Sequence, residues 1–358
     1  MNNRNQRIIF LFLVIVGIII RTWALFFYYW QSVSSPIGLQ SFGDVYHNFY
    51  DIDSVFTGEW IWSSVDLAYP PLSIYFLVLL RLASFNDLYI FFFYSFLIEI
   101  LITGIFYMVL KRFMISKYQI IFGFFLINPF YFMSFTFRGP LSGYHLTDNF
   151  FCIFLLLALY FYPRKNKTLF YIFSGLAISA KWYTIPFLFL VFIKYVREKD
   201  WKEMKQFIIY SGIPIFIFLI SPFLYLPNYL DLYFGWLSGH AYSAVIPFHF
   251  RIIPFAILIL IGCYKVKDFD LLDITAYSIV IMVSILWWSR LYVRYLAPLI
   301  YYGHIIRHKE IYTFKIKISE EVWKLKIGNH VLTYIISCIA TIFLIIISLF
   351  DYSYWGLI

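Results

Sequence analysis

The sequence predicts an all-α protein, a polytopic transmembrane bundle of about 11 helices with a long external first loop that carries short interfacial helices. Of its 358 residues, 62% are hydrophobic and 13% are charged, and the mean hydropathy is +0.79. Soluble domains carry about 25% charged residues, so a water-exposed globule is excluded. Apolar runs recur along the chain, and most lysines and arginines lie in alternate connections between them.

The first apolar run, residues 8–29, follows the basic residues Arg4 and Arg7. No small-residue cleavage site comes after it, so we expect a retained signal-anchor helix. A span needs about 20 residues, with roughly 17 tolerated and fewer where the bilayer is thinned. The later runs fall at about 88–110, 118–137, 148–162, 168–194, 206–226, 250–264, 271–288, 291–306 and 331–350.

Two runs are ambiguous, and the positive-inside rule decides both. Residues 69–83 are apolar and short, and as a span they would place Lys111 outside, so we expect them to lie on or dip into the external interface. Residues 168–194 as a single span would separate two basic clusters. Two short helices that meet outside near 181–186 keep both clusters cytoplasmic, and such half-length helices normally line a cavity.

These choices give a single integral membrane domain over residues 1–358, with a cytoplasmic N-terminus and an external C-terminus. Its external first loop is 31–87, and its cytoplasmic interfacial segments are 195–205 and 307–330. Residues 314–327 alternate polar and apolar, which fits either a small hairpin or an interfacial helix. The net charge of +9 follows from the basic cytoplasmic loops, and no nucleic-acid partner is predicted.

Seven cations break this sorting because they fall in or near the external half. They are Arg21, Arg81, Arg138, Lys181, Arg251, Arg290 and Arg294. A cation at membrane depth costs roughly 2.5–3.5 kcal/mol unless it is paired or wet. Snorkelling accounts for Arg21, and any of the others could be held in an internal ion pair. Several cations on one face instead indicate an anionic ligand.

The external loops also hold candidate acids and bases. Loop one is acidic, which topology alone would explain, but Asp44 stands out because it follows Gly43 soon after the first helix and precedes Tyr46. Partial desolvation beside an apolar interface suits a carboxylate for general-base work. Loop two adds His145 and Asp148 close to the membrane.

Phosphate is the anion that these cations fit best, since arginine offers a planar fork and lysine a point charge. A carboxylate facing them suits transfer from a lipid phosphate. The base would deprotonate an acceptor hydroxyl while the cations stabilise the departing phosphate. Trp60, Trp62 and Tyr69 are candidates to stack on a sugar. The three cysteines have no metal-ligand spacing, so a zinc site is not predicted.

These residues resemble the C-type glycosyltransferases (the GT-C superfamily), which use polyprenyl-phosphate sugars. The resemblance rests on several short motifs, most closely those of the mannosyltransferase that adds the first mannose to glycosylphosphatidylinositol precursors. They are Gly43-Asp44-Val45-Tyr46, Tyr69-Pro70-Pro71-Leu72, Asn128-Pro129, Arg138-Gly139, Gly175-Leu176-Ala177 with Lys181 and Pro186, and Arg294-Tyr295-Leu296-Ala297-Pro298. Two positions depart from that mannosyltransferase, Phe42 in place of a second aspartate and Pro140-Leu141 after the arginine-glycine pair.

The resemblance implies an inverting hexosyltransferase that moves a sugar, with mannose as the first candidate, from a polyprenyl or dolichyl phosphate donor. The transfer takes place on the external or luminal side. The acceptor stays open among a glycolipid, a lipid-linked oligosaccharide and a protein. Asp44 is assigned as general base. The donor and substrate contacts are Arg138, Lys181, Arg290, Arg294, Asp148, His145, Tyr69 and Tyr46. No cofactor is expected to be required, and a divalent cation stays open.

Two other readings are kept. A transporter or flippase of lipid-linked sugars should place ionisable residues at mid-membrane, and within the predicted spans Glu99 is the clear example. A non-catalytic subunit of a glycosylation complex would tolerate loss of Asp44. Short loops favour a prokaryotic plasma membrane, with the endoplasmic reticulum membrane as the alternative.

Overall fold

The computed structural model describes residues 3–34, 48–50, 52–56, 69–113, 115, 118–129, 146–163, 167–225, 248–290, 303–305, 311–318 and 321–350. This part of the chain is mostly helical, as predicted. In chain order the elements are α1 (Asn3–Ser34), α2 (Asp53–Phe56), α3 (Pro71–Ala83), α4 (Leu88–Arg112), α5 (Tyr118–Leu126), α6 (Leu146–Phe161), α7 (Thr168–Ala180), α8 (Ile185–Glu198), α9 (Trp201–Ile215), α10 (Pro222–Tyr225), α11 (Phe248–Lys265), α12 (Leu271–Arg290), β1 (Ile311–Ile318), β2 (Glu321–Gly328) and α13 (Asn329–Phe350).

Two of the described helices are long and apolar enough to cross a membrane. They are α4 and the continuous helix Trp201–Ile220, in which a π-helical segment extends α9. Shorter apolar helices of 10–17 residues accompany them. Large apolar side chains also face outward: Phe12 of α1 is 64% exposed and Leu260 of α11 is 69% exposed. A soluble protein rarely presents broad apolar surface of this kind to water.

The predicted division of residues 168–194 into two short helices is confirmed. Helix α7 ends at Ala180, Lys181 is extended, and a short 3-10 turn over Trp182–Thr184 leads into α8. Pro186 lies in the first turn of α8, where its missing N–H leaves no helical hydrogen bond unmade. Lys167, just before α7, has its ammonium 6.0 Å from the centre of the Tyr195 ring near the end of α8. The two helices therefore form a hairpin.

Basic residues gather where this hairpin opens. Lys167 Nζ lies 3.0 Å from Glu203 Oε2, at the start of α9. Lys194 donates to the carbonyls of Val266 and Phe269, just beyond α11. Arg197 donates to the last carbonyls of α11. Helix C-terminal carbonyls carry partial negative charge and attract such cations. We call this the basic end of the bundle, and the opposite end of the α7–α8 hairpin the Lys181 end.

Residues 69–83 begin at the Lys181 end. They form α3, whose 13 residues are too few for an ordinary span, with Pro71 at its first position. Ser73 Oγ donates to the carbonyl of Ala180 at 2.6 Å. The chain then turns through Phe85 and Asn86, both at positive φ, and Asp87 caps the start of α4. Since α4 has 25 residues, its end at Arg112 lies roughly 37 Å from this point.

Helices α1, α5 and α13 run parallel to one another. A Cβ on Gly123 of α5 would contact Leu13 of α1, and a Cβ on Gly17 of α1 would contact Leu126 of α5. Later residues of α1 therefore face later residues of α5, so the two helices point in the same direction. Phe124 of α5 contacts His330 and Tyr334, in the first turns of α13. Helix α13 therefore begins at the same height in the bundle as α5, and it lies next to the end of α4.

The two interpretations left open for residues 314–327 are decided in favour of a hairpin. Strands β1 and β2 pair antiparallel over their whole length, with Phe314 opposite Leu325 and Lys315 opposite Lys324. The hairpin leads without a break into α13, since Gly328 ends β2 and Asn329 begins the helix.

Candidate functional site

Lys181 is the predicted site residue whose surroundings are best defined. It lies in the extended break between α7 and α8 and is half-buried. Its ammonium is 3.5 Å from Thr147 Oγ1 and 4.5 Å from the centre of the Tyr183 ring. Because α7 stops at Ala180, the residues after Lys181 turn back into α8, and Lys181 stays beside the start of α6.

The start of α6 supplies the second part of the site. Thr147 is fully buried and Asn149 is 8% exposed, and both lie in the first turn of the helix. Asp148 stands between them in the same turn, with its side chain outside the described residues. The structure thus brings the backbone of Asp148 next to a residue that contacts Lys181. Phe151, one turn later, packs edge-on against Tyr183 at 5.4 Å.

Tyr69 reaches the same end through α3. It stands two residues before this helix, which the Ser73 hydroxyl ties to the residue preceding Lys181. The Asn48 amide donates to the Tyr69 hydroxyl at 3.4 Å, and Asn48 is fully buried. Asn48 follows Asp44 by four positions in the sequence, and Asp44 itself lies outside the described residues.

Arg290 is the last residue of α12, and its side chain lies outside the described residues. Helix α12 starts beside the basic end, where Lys194 contacts Phe269. It packs against α8 and against the 3-10 turn after Lys181. The helix therefore advances toward the Lys181 end. Five other predicted site residues lie outside the described part of the chain. They are Asp44, Tyr46, Arg138, His145 and Arg294.

One of the cations predicted to be external is held in an internal ion pair. Arg81 is 4% exposed, and its guanidinium pairs with Asp53 and donates to the Phe49 carbonyl. It also lies over the Phe49 and Phe56 rings, at 4.2 and 4.7 Å from their centres. The ion-pair alternative is therefore confirmed for Arg81, which fastens the first loop to α3.

The prediction that Arg21 snorkels to the interface is wrong. Its guanidinium lies 3.2 Å from Glu99 Oε1 on α4, with the two side chains 14% and 5% exposed. It also donates to the Leu126 carbonyl and to Thr103 Oγ1. An isolated carboxylate inside a span is costly and calls for a cation at similar depth. That depth match, about the middle of both apolar runs, is the signal that could have identified the pair.

A second buried polar group was missed by sequence reasoning. Asn128 and His304 are fully buried, and Ser337 of α13 is 9% exposed. The Ser337 hydroxyl donates to the Thr333 carbonyl, so it accepts from the Asn128 amide at 3.0 Å. The other amide hydrogen then faces His304 Nε2 at 3.1 Å. Asn128, which belongs to one of the quoted motifs, links three separate segments in this structure.

Within the described part of the chain, His, Cys, Asp and Glu side chains do not gather in groups of three that could hold a metal ion. Among the described residues Lys181 is the cation of the predicted site, with its ammonium beside Thr147 Oγ1, while the Tyr69 hydroxyl accepts from Asn48. The sequence matches no protein-family model, and neither curated proteins nor solved structures give a match to this chain.

Proposed function

We propose that this chain is a polytopic membrane glycosyltransferase, similar to the C-type superfamily, that moves a sugar from a polyprenyl phosphate to a hydroxyl acceptor. The observation that carries the proposal is the meeting of separate segments at the Lys181 end. Tyr69, the start of α6 with Asp148, and Lys181 come together there, on the side away from the basic clusters. Ligand sites in helical bundles commonly lie between helices, and at this end of the bundle a substrate could approach from the bilayer.

The membrane part of the proposal is supported by the outward-facing apolar side chains and by the sorting of charge between the two ends. Lys167, Lys194, Arg197 and Lys265 lie together at the basic end. Cytoplasmic loops are enriched in such residues, so we place the basic end in the cytoplasm and the Lys181 end outside. A prokaryotic plasma membrane suits the short loops, and the endoplasmic reticulum membrane is the alternative.

The chemistry assigns one role to each group. The Asp44 carboxylate takes the proton of the acceptor hydroxyl, whose oxygen attacks the anomeric carbon of the donor sugar from the opposite face. The bond from that carbon to the phosphate oxygen breaks, and the lipid phosphate leaves with the electron pair. Lys181, with Arg138, Arg290 and Arg294, stabilises the departing phosphate. Asp148, His145, Tyr46 and Tyr69 orient the substrates.

The test is transfer of labelled sugar from polyprenyl phosphate donors, mannose first, in membranes that contain the protein. We expect Asp44→Asn to lower the rate about 10²–10⁴-fold, as loss of a general base does. Lys181→Met should lower it about 10²–10³-fold, as loss of one charge-stabilising donor does. Asp268→Asn and Lys265→Met, at the basic end, are the matched controls and should transfer normally.

Two results would contradict the proposal. Near-normal transfer by correctly inserted Asp44→Asn would remove the general-base assignment. An equal loss in Lys265→Met would mean that Lys181 acts only through the charge or stability of the protein. Inverted configuration at the anomeric carbon of the product should be visible by nuclear magnetic resonance of the purified glycan.

A lipid-linked sugar flippase is the second candidate, and the Arg21–Glu99 pair favours it. Transport pathways use buried ionisable pairs of this kind. The contacts around the pair include Thr103 Oγ1, the Leu126 carbonyl and the Phe125 ring. Reconstituted vesicles discriminate the two candidates: a flippase moves labelled lipid between leaflets without acceptor, whereas the glycosyltransferase consumes donor only when acceptor is present.

A further inference from the structure

The β1–β2 hairpin has two chemically different faces. Because side chains alternate along a strand, Tyr312, Phe314, Leu325 and Ile327 share one face by register. Phe314 and Leu325 are directly opposite each other, and they are 46% and 48% exposed. A two-stranded hairpin is only marginally stable in water. Exposure of two large apolar side chains to water is a further unfavourable contribution. This face needs a cover.

The other face carries lysines with no acidic partner in the described part of the chain. Lys315 lies directly opposite Lys324, both are exposed, and Lys326 is on the same face. The ion pairs of the described residues do not include these three lysines. Like charges directly opposite each other across two strands destabilise the pairing. An anion between the two ammonium groups would turn this repulsion into attraction.

The position of the hairpin brings an apolar medium and anions together. Gly328 joins Asn329 directly, so the hairpin cannot move far from the start of α13. That start packs beside α5 through Phe124, near the end of α4 where Lys111 and Arg112 lie. The segment 307–328 itself holds six lysines and arginines against three glutamates. The hairpin thus sits at a basic rim, at the depth where the apolar helices begin.

We infer that this hairpin is an anionic-lipid-binding module: its Phe314–Leu325 face enters the bilayer interface while Lys315, Lys324 and Lys326 bind headgroup phosphates. Interfacial elements lie about 5–10 Å into the boundary between headgroups and acyl chains. A sheet at that depth keeps its outer face within the headgroup layer, where flexible lysine stems reach phosphate oxygens. The inference rests on the membrane part of the proposed function and is independent of sugar transfer.

The test uses spin labels on the full chain in vesicles. The background carries Cys152→Ala, Cys263→Ala and Cys338→Ala, and single labels are placed with Leu325→Cys or Lys324→Cys, neighbours on opposite faces. Collision with oxygen, which concentrates in lipid, is compared with collision with a water-soluble nickel chelate. In vesicles containing phosphatidylglycerol we expect the label at 325 to favour oxygen, and the label at 324 to favour nickel several-fold more than the label at 325 does.

Removing charge tests the headgroup contact. Lys315→Gln with Lys326→Gln should shift the label at 325 toward nickel in phosphatidylglycerol vesicles and leave it unchanged in phosphatidylcholine alone. Phe314→Cys repeats the apolar-face measurement, in case the label at 325 disturbs the hairpin. A nickel-accessible label at both 314 and 325 would overturn the inference, and so would a label shielded from both reagents, because protein would then cover the face.

A label placed by Ile257→Cys on α11 separates this failure from failure of the membrane assignment. Ile257 is 51% exposed on an apolar helix, so its label should favour oxygen whenever the bundle spans the bilayer. Oxygen preference at 257 with nickel preference at 325 would reject the hairpin inference alone. Nickel preference at both positions would reject the membrane assignment as well. Sugar transfer plays no part in either reading.

Discussion

The Arg21 guanidinium makes several contacts inside the bundle. Glu99 lies 3.2 Å away, Thr103 and the Leu126 carbonyl accept from it, and the Phe125 ring is 4.9 Å from its carbon. A charge in such surroundings depends on its partner more than on solvent. The pair therefore joins α1 to α4 across 78 residues of sequence, and it joins both to the end of α5.

Breaking this pair one side at a time should cost more than removing both sides. We expect Arg21→Met or Glu99→Met to lower stability by about 3–5 kcal/mol, because each leaves the other charge buried alone. The double substitution should recover most of that loss. The measurement is the thermal unfolding midpoint of the purified protein in detergent, with Arg7→Met, an exposed arginine of the same helix, as control. A double variant that loses the sum of the two single losses would contradict the coupling.

Some features of the candidate site could be predicted from the sequence, and others could not. Lys181 could be predicted because charge sorting places it outside and because it lies at a helix break, and both features are local. Its contact with Thr147 could not, since 34 residues separate them and threonine is common in membrane helices. Arg81 illustrates the opposite case: its charge was visible, but only the fold reveals that Asp53 and the Phe49 carbonyl already occupy it.

At the level of elements, helices α7 and α9 approach each other closely at Gly175. A Cβ at this position would clash with the Ser211 carbonyl oxygen and lie 2.6 Å from Pro214 Cγ. Ser179, one turn later, donates to the Pro214 carbonyl at 3.2 Å. Small residues permit such approach of backbones in membrane helices, where packing rather than the hydrophobic effect drives association. This contact holds the arm of the hairpin that ends at Lys181.

We expect Gly175→Ala to destabilise the protein by about 1–3 kcal/mol, the usual range for overpacking. The matched control is Gly212→Ala in the facing helix α9, where nothing lies within 4 Å of the added Cβ. That control should be neutral or gain up to about 1 kcal/mol from helix propensity. Thermal midpoints in detergent provide the comparison. Equal losses at both glycines would show that the close approach does not matter.

The elements themselves were predictable where two signals agreed. For residues 168–194, the charge clusters required an even number of crossings, and Pro186 supplied a place for a new helix to begin. For residues 314–327 a single signal was present. Alternation of polar and apolar residues fits a strand, but the apolar stems of lysines can also cover one face of a helix. Only the pairing between β1 and β2 in the structure decides between the two.

At the scale of the whole molecule, the two ends of the bundle differ in charge and in their proposed function. The break at Lys181 lies at one end, where the start of α3 contacts Ala180, and α3 leads from there to the turn at Phe85. The turn that contains Asp268 lies at the other, where Lys194 reaches the carbonyls around it. A bilayer between these ends would place substrate chemistry outside and the lysine-rich hairpin inside.

This arrangement predicts which positions a membrane-impermeant maleimide can label in intact cells. In the cysteine-free background, Phe85→Cys should be labelled directly, since residue 85 is 85% exposed in its turn. Asp268→Cys and Lys326→Cys, both exposed, should be labelled only after permeabilisation, because Asp268 lies at the basic end and Lys326 lies in the hairpin beside the end of α4. Labelling of all three positions before permeabilisation would contradict the charge-sorted topology. If Lys326→Cys and Phe85→Cys are labelled before permeabilisation and Asp268→Cys is not, the hairpin lies on the outer surface. The headgroup potential that favours its lysines is weaker there.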